Sequence, residues 1–380
     1  MTGGAIAVLV TGEISLPEAI RAINFEVLFF LFGMFVVGVG LEESGYLFIL
    51  GQRVLKRAKN SDQLVVMLIF SFGFFSAILM NDTLAIIGTP LVLYCAQKFR
   101  ISPRMLLLVL CCAITTGSVM SPIGNPQNLL IASYSGLDNP FLTFFLYLAA
   151  PTLLSLAIVY LLFRWLYRQE FGKDVPVMEE GQISDPQLAR VVRVSLAILL
   201  ILIAARTAAP VFPAFRVISL PLIALLSASP LLLFSRKRAT LIRLVDWPTM
   251  IFFVAMFVLM GSVWQSGIFQ SLLRGGIPDS VLGILALSVI ISQFISNVPF
   301  VALFQPLLVY QGIPLGQTLA LAAGSTLAGN LTILGAASNV IVIQNAERRG
   351  ETLTFLEFLR VGVPLTLIQV GIFSLFLALI

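Results

Sequence analysis

Histidine is absent from all 380 residues. That excludes zinc sites built on His, His-ligated haem, HExxH hydrolases and Ser-His-Asp or Cys-His nucleophile pairs. Cysteine is nearly absent: Cys95, Cys111 and Cys112 lie in apolar helical runs without metal-ligand or disulfide-framework spacing, and read as small hydrophobes. Charge is scarce as well. Asp, Glu, Lys and Arg make up 11% of the chain and apolar residues 59%, whereas a soluble domain carries about a quarter charged residues. With a mean hydropathy of +1.02, the chain cannot cover a water-exposed surface, so a soluble globular protein is excluded. The net charge of +5 reflects membrane topology rather than a nucleic-acid partner, because no basic stretch is interleaved with exposed aromatics.

What is present is a series of apolar runs, enough for about nine or ten membrane segments. A short run covers 3–11, too short for a convincing span and without the flanks of a signal peptide. Longer runs cover 24–41, 64–80, 83–97, 105–121, 128–134, 141–166, 190–209, 217–234, 248–264, 281–296, 298–310, 315–331, 336–345 and 355–380. Nineteen of the 23 Lys and Arg residues fall around 53–59, 98–104, 164–193, 236–243 and 348–360. The positive-inside rule assigns all of these to the cytoplasm. The stretch 63–97 must then enter and leave on one side, as a re-entrant hairpin or as two very short spans, with Asn81 and Asp82 at its tip. The connections 265–280, which holds Arg274, and 311–314 read as external. The stretch 281–310 is then a second hairpin entering from the opposite face, with Asn297 near its tip. The arginines around 53–59 fit an interfacial amphipathic helix.

The two halves repeat. Asn24-Phe25 and Gly33-Met34-Phe35 match Asp246-Trp247 and Ala255-Met256-Phe257 at an offset of 222; Asn81, Pro90-Leu91 and Tyr94 match Asn297, Pro306-Leu307 and Tyr310 at 216; Gly124 and Asn128 match Gly335 and Asn339 at 211. Each repeat holds a helix, a hairpin, a helix broken by a polar motif, and a closing helix. We therefore expect an all-α polytopic membrane protein forming a single transmembrane domain. Its two inverted repeats cover about 24–166 and 246–380, with linking helices at about 189–236. Such repeats with broken helices are the architecture of secondary transporters, with the site between them.

Four places put polar, helix-breaking sequence at membrane depth: Met80-Asn81-Asp82-Thr83, Ser121 to Asn128 through Gly124 and Asn125, Ser296-Asn297-Val298-Pro299, and Gly329-Asn330-Leu331-Thr332 through Gly335 to Ser338-Asn339. Irregular backbone is tolerated there only where it lines a cavity or lies buried in protein. Half-helix N-termini suit an anion, while unwound carbonyls with Asn, Ser and Thr oxygens suit Na⁺. The candidate binding residues are Asn81, Asp82, Thr83, Gly124, Asn125, Asn128, Ser296, Asn297, Asn330, Thr332, Gly335, Ser338 and Asn339. Na⁺ is placed at Asn81, Asn125, Asn297, Asn330 and Asn339. Asp82, an intramembrane carboxylate, could ligate Na⁺ or carry a proton; the plainer alternative is that Asn81 or Asp82 caps the hairpin helix. Glu26 and Asp246 read as helix caps, and the lone Ser118, Thr115 and Thr326 as helix-packing residues.

The pattern resembles the ion transporter superfamily, which includes arsenite permeases, citrate and divalent-anion/sodium symporters, and related sodium/proton antiporters. The resemblance spans 13–380. Asn81-Asp82 followed by Thr89-Pro90, and Gly329-Asn330-Leu331-Thr332-x-x-Gly335, are similar to the arsenite-permease branch. Where the dicarboxylate symporters carry Ser-Asn-Thr at each hairpin tip, this chain reads Met80-Asn81-Asp82 and Ser296-Asn297-Val298. The resemblance implies a homodimer, elevator-type alternating access and cation-coupled transport of a small anion, with Na⁺ or H⁺ as coupling ion and no other cofactor. A sodium/proton antiporter is the alternative. A membrane-embedded enzyme is disfavoured by the lack of His, of a phosphate-cradling Gly-Lys motif and of paired carboxylates. The topology is testable: a single cysteine introduced at Lys173 should react with an impermeant thiol reagent only after the cells are permeabilised, and ready labelling of intact cells would reverse the orientation.

Overall fold

The computed structural model describes residues 1–173, 181–272, 278, 280–310, 312 and 314–380, Leu272 by its backbone alone. Arg274 and parts of the 265–280, 311–314 and central polar connections lie outside the described residues. Among the described residues there are helices and no strands. In chain order they are α1 (Thr2–Val10), α2 (Leu16–Ala22), α3 (Phe25–Ser44), α4 (Tyr46–Leu55), α5 (Ser61–Ser76), α6 (Asn81–Phe99), α7 (Pro103–Ser118), α8 (Pro126–Tyr134), α9 (Pro140–Leu166), α10 (Pro186–Thr207), α11 (Leu220–Phe234), α12 (Arg238–Leu244), α13 (Trp247–Gln265), α14 (Ile268–Leu272), α15 (Val281–Ile295), α16 (Asn297–Tyr310), α17 (Leu315–Leu327), α18 (Ala337–Glu347) and α19 (Phe355–Leu377). Helices α3, α9, α10, α13 and α19 are long and apolar enough to cross a membrane.

Local chemistry sets the helix starts. Asn24, Asn60, Ser102, Asn125, Asn139, Asp185, Ser219, Asp246 and Ser280 each accept a first-turn amide with their side chain. Asp246 is thus the cap expected of it. At α3 the cap is Asn24, and Glu26 occupies the first turn. Gly45, at φ 68°, separates α3 from the short amphipathic α4, which ends at Leu55 beside the basic cluster.

Side-chain contacts gather the basic connections on one face. Arg164 pairs with Asp62 at 2.9 Å, Arg104 with Glu357 at 2.8 Å, and Lys237 with Asp185 at 2.8 Å. The Lys173 ammonium donates to Arg100 O at 3.3 Å, and Lys173 O accepts from Ser61 N at 2.9 Å. Both open ends of the α5–α6 hairpin therefore lie on this basic face, together with the start of α19. On the opposite face the Asn139 amide donates to the carbonyls of Arg206 and Thr207, both at 3.0 Å. The start of α17 packs against the far end of α19 and the start of α15: a Cβ on Gly316 would lie 3.1 Å from Leu377 O and 3.8 Å from Val281. The α15–α16 hairpin thus opens where α19 ends, and the α5–α6 hairpin where it begins. The two hairpins enter the bundle from opposite faces.

Within each repeat the first hairpin arm packs on the broken helix, α5 on α7 and α15 on α17. Glycine permits both crossings. A Cβ on Gly117 would lie 2.1–2.5 Å from the backbone of Gly73, and one on Gly324 would lie 2.8 Å from Ser288 and 3.0 Å from Leu285 O. The α3–α11 crossing is equally close, with Gly33 facing Ala224 backbone at 2.6 Å. Gly117→Ala should therefore force α5 and α7 apart and cost roughly 1–3 kcal/mol, as overpacked cores do. Gly371→Ala, where no atom lies within 4 Å, should leave the melting temperature in detergent unchanged or slightly raised. Equal melting of the two variants would refute the close-crossing account.

Candidate functional site

At residues 119–125 the helix begun by α7 stops, and α8 restarts it. At 328–336 α17 stops, passes through two 3-10 turns, and resumes as α18. Each break frees carbonyls from helical pairing in an interior without water. One asparagine per repeat collects them. Asn128, fully buried, donates its amide to Ser118 O at 3.2 Å, Val119 O at 3.4 Å and Ser121 O at 3.0 Å. Asn339, also fully buried, donates to Gly329 O at 2.7 Å and Thr332 O at 3.3 Å. The bridged carbonyls precede the asparagine by ten and seven residues in both repeats. The conserved geometry between halves extends to Gly124 and Gly335, whose Cβ atoms would meet Ser76 O at 2.5 Å and Ala328 O at 2.3 Å.

The hairpin tips meet these breaks. The Asn81 amide lies 3.1 Å from the Ser118 hydroxyl. With its oxygen turned to that hydroxyl, its nitrogen donates to Ile114 O and Gly124 O, each at 3.2 Å, which satisfies the group. Its backbone N–H also donates to Gly124 O at 3.1 Å. Asn81 is therefore no cap. The cap position of α6 is Met80, without a side-chain bond, and Asp82 occupies the first turn. The Asp82 carboxylate makes no hydrogen bond or ion pair with the described residues and is partly exposed, so the capping alternative fails for both residues. Thr83 lies against α3, its hydroxyl 2.5 Å from where a Cβ on Gly38 would stand. At the other tip Ser296 takes φ 67° to turn the chain, and Asn297, 4% exposed, starts α16.

The repeats also bond to each other. Asn125 donates to Ser118 at 3.0 Å and across to Thr326 at 3.2 Å, and Thr326 donates back to Asn128 Oδ1 at 3.1 Å. In the reverse direction Asn330 donates to Thr116 and to Gln369, and Gln369 to Thr116, each at 2.9 Å. Gln293 on α15 donates to Ala328 O at 3.0 Å and accepts from Thr332 at 2.7 Å. Ser118 and Thr326 thus bond between helices, as helix-packing residues do, while the Thr115 hydroxyl is buried without a hydrogen-bond partner among the described residues. Thr116, Gln293 and Gln369 were not anticipated. Thr116 follows Thr115, Gln293 follows Ser292, and Gln369 stands alone among apolar neighbours, and a polar residue in an apolar run is the one sign the sequence carries of each.

Oxygen pairing differs between the repeats. In the first, Asn125 Oδ1 accepts from Asn128 N at 2.9 Å, and Asn128 Oδ1 is held by Thr326. In the second, Asn297 Oδ1, Asn330 Oδ1, Asn339 Oδ1, Ser338 Oγ and Ser292 Oγ are buried without a hydrogen-bond partner among the described residues, as are both amide atoms of Gln305 on α16. Helices α6 and α18 pack together, and neither N-terminus carries a side-chain cap. Both helix dipoles direct their positive ends into the polar core, where the Asp82 carboxylate in the first turn of α6 offsets one of them. Clefts of about 590 and 520 Å³ open beside the two hairpins. One holds Pro90, Tyr94, Pro103 and Arg349, and the other Pro306, Ala302, Trp264 and Arg21. The equivalent prolines Pro90 and Pro306 thus face clefts beside the two hairpins.

The family model for citrate transporters, CitMHS, matches residues 1–311. The chain belongs to the citrate transporter family. An uncharacterised transporter of Mycobacterium bovis is 30% identical over 98% of this chain and 91% of its own length. The silicon efflux transporter LSI3 of Oryza sativa subsp. japonica is 26% identical over 97% and 90%. Among solved structures, the Alcanivorax borkumensis YdaH transporter superposes with a TM-score of 0.65 at 18% identity, over 95% of this chain and 86% of that one. Neisseria gonorrhoeae MtrF superposes with 0.60 at 15%, over 98% and 84%. These likenesses concern the fold. The protein is a multi-pass membrane transporter and not an enzyme.

Asn128 and Asn339 should carry comparable structural weight. Asn128→Ala and Asn339→Ala each orphan buried carbonyls and should each cost roughly 1–3 kcal/mol, and an Asn128/Thr326 double-mutant cycle should show a coupling of about 0.5–1.5 kcal/mol. Additive effects in the cycle, read by thermal unfolding in detergent, would remove the bond between repeats from the account.

Proposed function

We propose that the protein is a secondary active transporter of a small anion or oxyanion-like solute of the arsenite/carboxylate class, coupled to Na⁺ or H⁺. The observation that carries this reading is the set of buried amide and hydroxyl oxygens in the second repeat that no donor among the described residues reaches. A buried acceptor left unpaired costs about 1–3 kcal/mol, and a hard monovalent cation is a partner suited to oxygens of this kind. The uncapped N-terminus of α18, with no acidic residue in its first turn, supports an anion beside it. The family's citrate name and the silicon-efflux relative both fit a small solute. In this reading the chain works as two repeats, about 24–166 and 246–380, joined by linking helices at about 189–236, within a homodimer that alternates access by an elevator movement.

A second reading, a sodium/proton antiporter, rests on Asp82, whose carboxylate has no hydrogen-bond or ion-pair partner among the described residues. Two variants in proteoliposomes with an imposed Na⁺ or pH gradient separate the two. Asp82→Asn keeps the shape, should fold, and should lose gradient-driven uptake of labelled solute by at least roughly ten-fold, the scale of one lost ion contact. Asn297→Ala removes no side-chain hydrogen bond found here, so it should melt as wild type without ligand while needing about ten-fold more cation for the same stabilisation. Wild-type gradient dependence in both variants would retire the coupling assignment. Cation exchange without solute movement would establish the antiporter.

A further inference from the structure

Away from the hairpins, α10 and α11 pack side by side, and between their basic-face ends lies a groove of about 670 Å³. Its chemistry is divided. At the rim stand Arg190 and Arg236, both exposed and without a hydrogen bond or ion pair among the described residues. The neighbouring charges compensate each other: Lys237 pairs with Asp185 at 2.8 Å, and Asp185 also accepts from the amides of Gln187 and Leu188. The Leu188 amide first, then Lys237, holds the Asp185 carboxyl below its usual range, so it stays ionised and occupied. Among the described residues the two arginines are left without a compensating negative charge.

Below the rim the groove is apolar. Val191 and Val194 follow Arg190 on one stripe of α10, and Pro230 and Phe234 face them from α11. Phe234 is 76% exposed and Val194 52%. The same sides of the helices continue through Ile201, 65% exposed, and Leu226, 41% exposed. Since α10 is a candidate span with most of its surface uncovered, this apolar track runs from the arginines along the length of the helices. Two guanidiniums above an apolar track match a phosphate head above an acyl chain. Topology places both in the cytoplasmic leaflet, where anionic lipid is found.

We propose that the α10–α11 groove binds an anionic phospholipid, its phosphate on Arg190 and Arg236 and one acyl chain along Val191, Val194 and Phe234. The site lies on the linking helices, apart from the polar breaks, so the bound lipid ties these helices to the bilayer.

The test is native mass spectrometry of the full chain exchanged into mixed micelles carrying phosphatidylglycerol or phosphatidylcholine. The wild type should retain phosphatidylglycerol in preference to phosphatidylcholine. Arg190→Gln with Arg236→Gln should weaken that retention about thirty-fold, each basic residue at an anionic surface contributing roughly a five-fold factor. Val194→Trp, which fills the track and leaves the charges, should weaken it as well. Arg348→Gln with Arg349→Gln, an equal charge change elsewhere on the basic face, should leave it unchanged. Equal retention of both lipids, equal loss in the Arg348/Arg349 control, or competition by soluble glycerol phosphate as effective as the lipid would overturn the proposal. So would a lipid-free dimer that the Arg190/Arg236 variant dissociates, since a second copy would then be the occupant.

Discussion

The structure depends on a backbone constraint. A helix that stops inside an apolar slab leaves carbonyls and amides that water cannot reach, and this protein stops two helices there. Asn128 and Asn339 make the breaks possible. Each sits in the first turn after its break and returns its amide to carbonyls seven and ten residues back. The half-helix is thereby sewn to the helix it left, and the loop between them is held without a regular ladder. Glycine at 124 and 335 is required for the same reason, because a side chain there would strike a neighbouring carbonyl.

Once the breaks exist, their remaining polar groups need partners, and the nearest are in the other repeat. Thr326 of the second repeat serves Asn125 and Asn128 of the first, while Thr116 of the first serves Asn330 of the second. Packing follows the same exchange, α6 against α18 and α8 against α16. The hairpins and broken helices of both halves therefore form one interlocked body. Helices α10 and α11 pack chiefly on each other and on α3.

Much of this was legible in the residues. Asparagine, proline and glycine in apolar runs mark helix ends with little ambiguity, so both hairpin tips, both breaks and the offsets between halves could be placed. Lysine and arginine counts place the basic connections on one face, and the ion pairs at Asp62, Asp185 and Glu357 gather them there. Roles that depend on tertiary neighbours were not legible. Thr116, Gln293 or Gln369 in a membrane helix has the same local signature whether it only packs or bonds to a helix break. Asn81 has a good capping residue's chemistry, yet its side chain is drawn to Ser118 because the break of α7 lies beside the tip. That Asn128 Oδ1 is paired, while Asn339 Oδ1 has no partner among the described residues, depends on Thr326, 198 positions from Asn128.

The departures from internal symmetry have their own consequence. Two identical inverted halves would make a carrier's two facing arrangements mirror images of equal energy, so its resting orientation would be evenly divided. The equivalents here differ at most positions, and within the polar core Asp82 stands opposite Val298, Asn125 opposite Ala336, and Asn330 opposite Val119. These pairs put different polar chemistry at equivalent places in the two halves. A carrier built from halves this unequal would hold its two facings at unequal energies, so the side chains of the polar core, and not the shared fold, would set which facing is favoured.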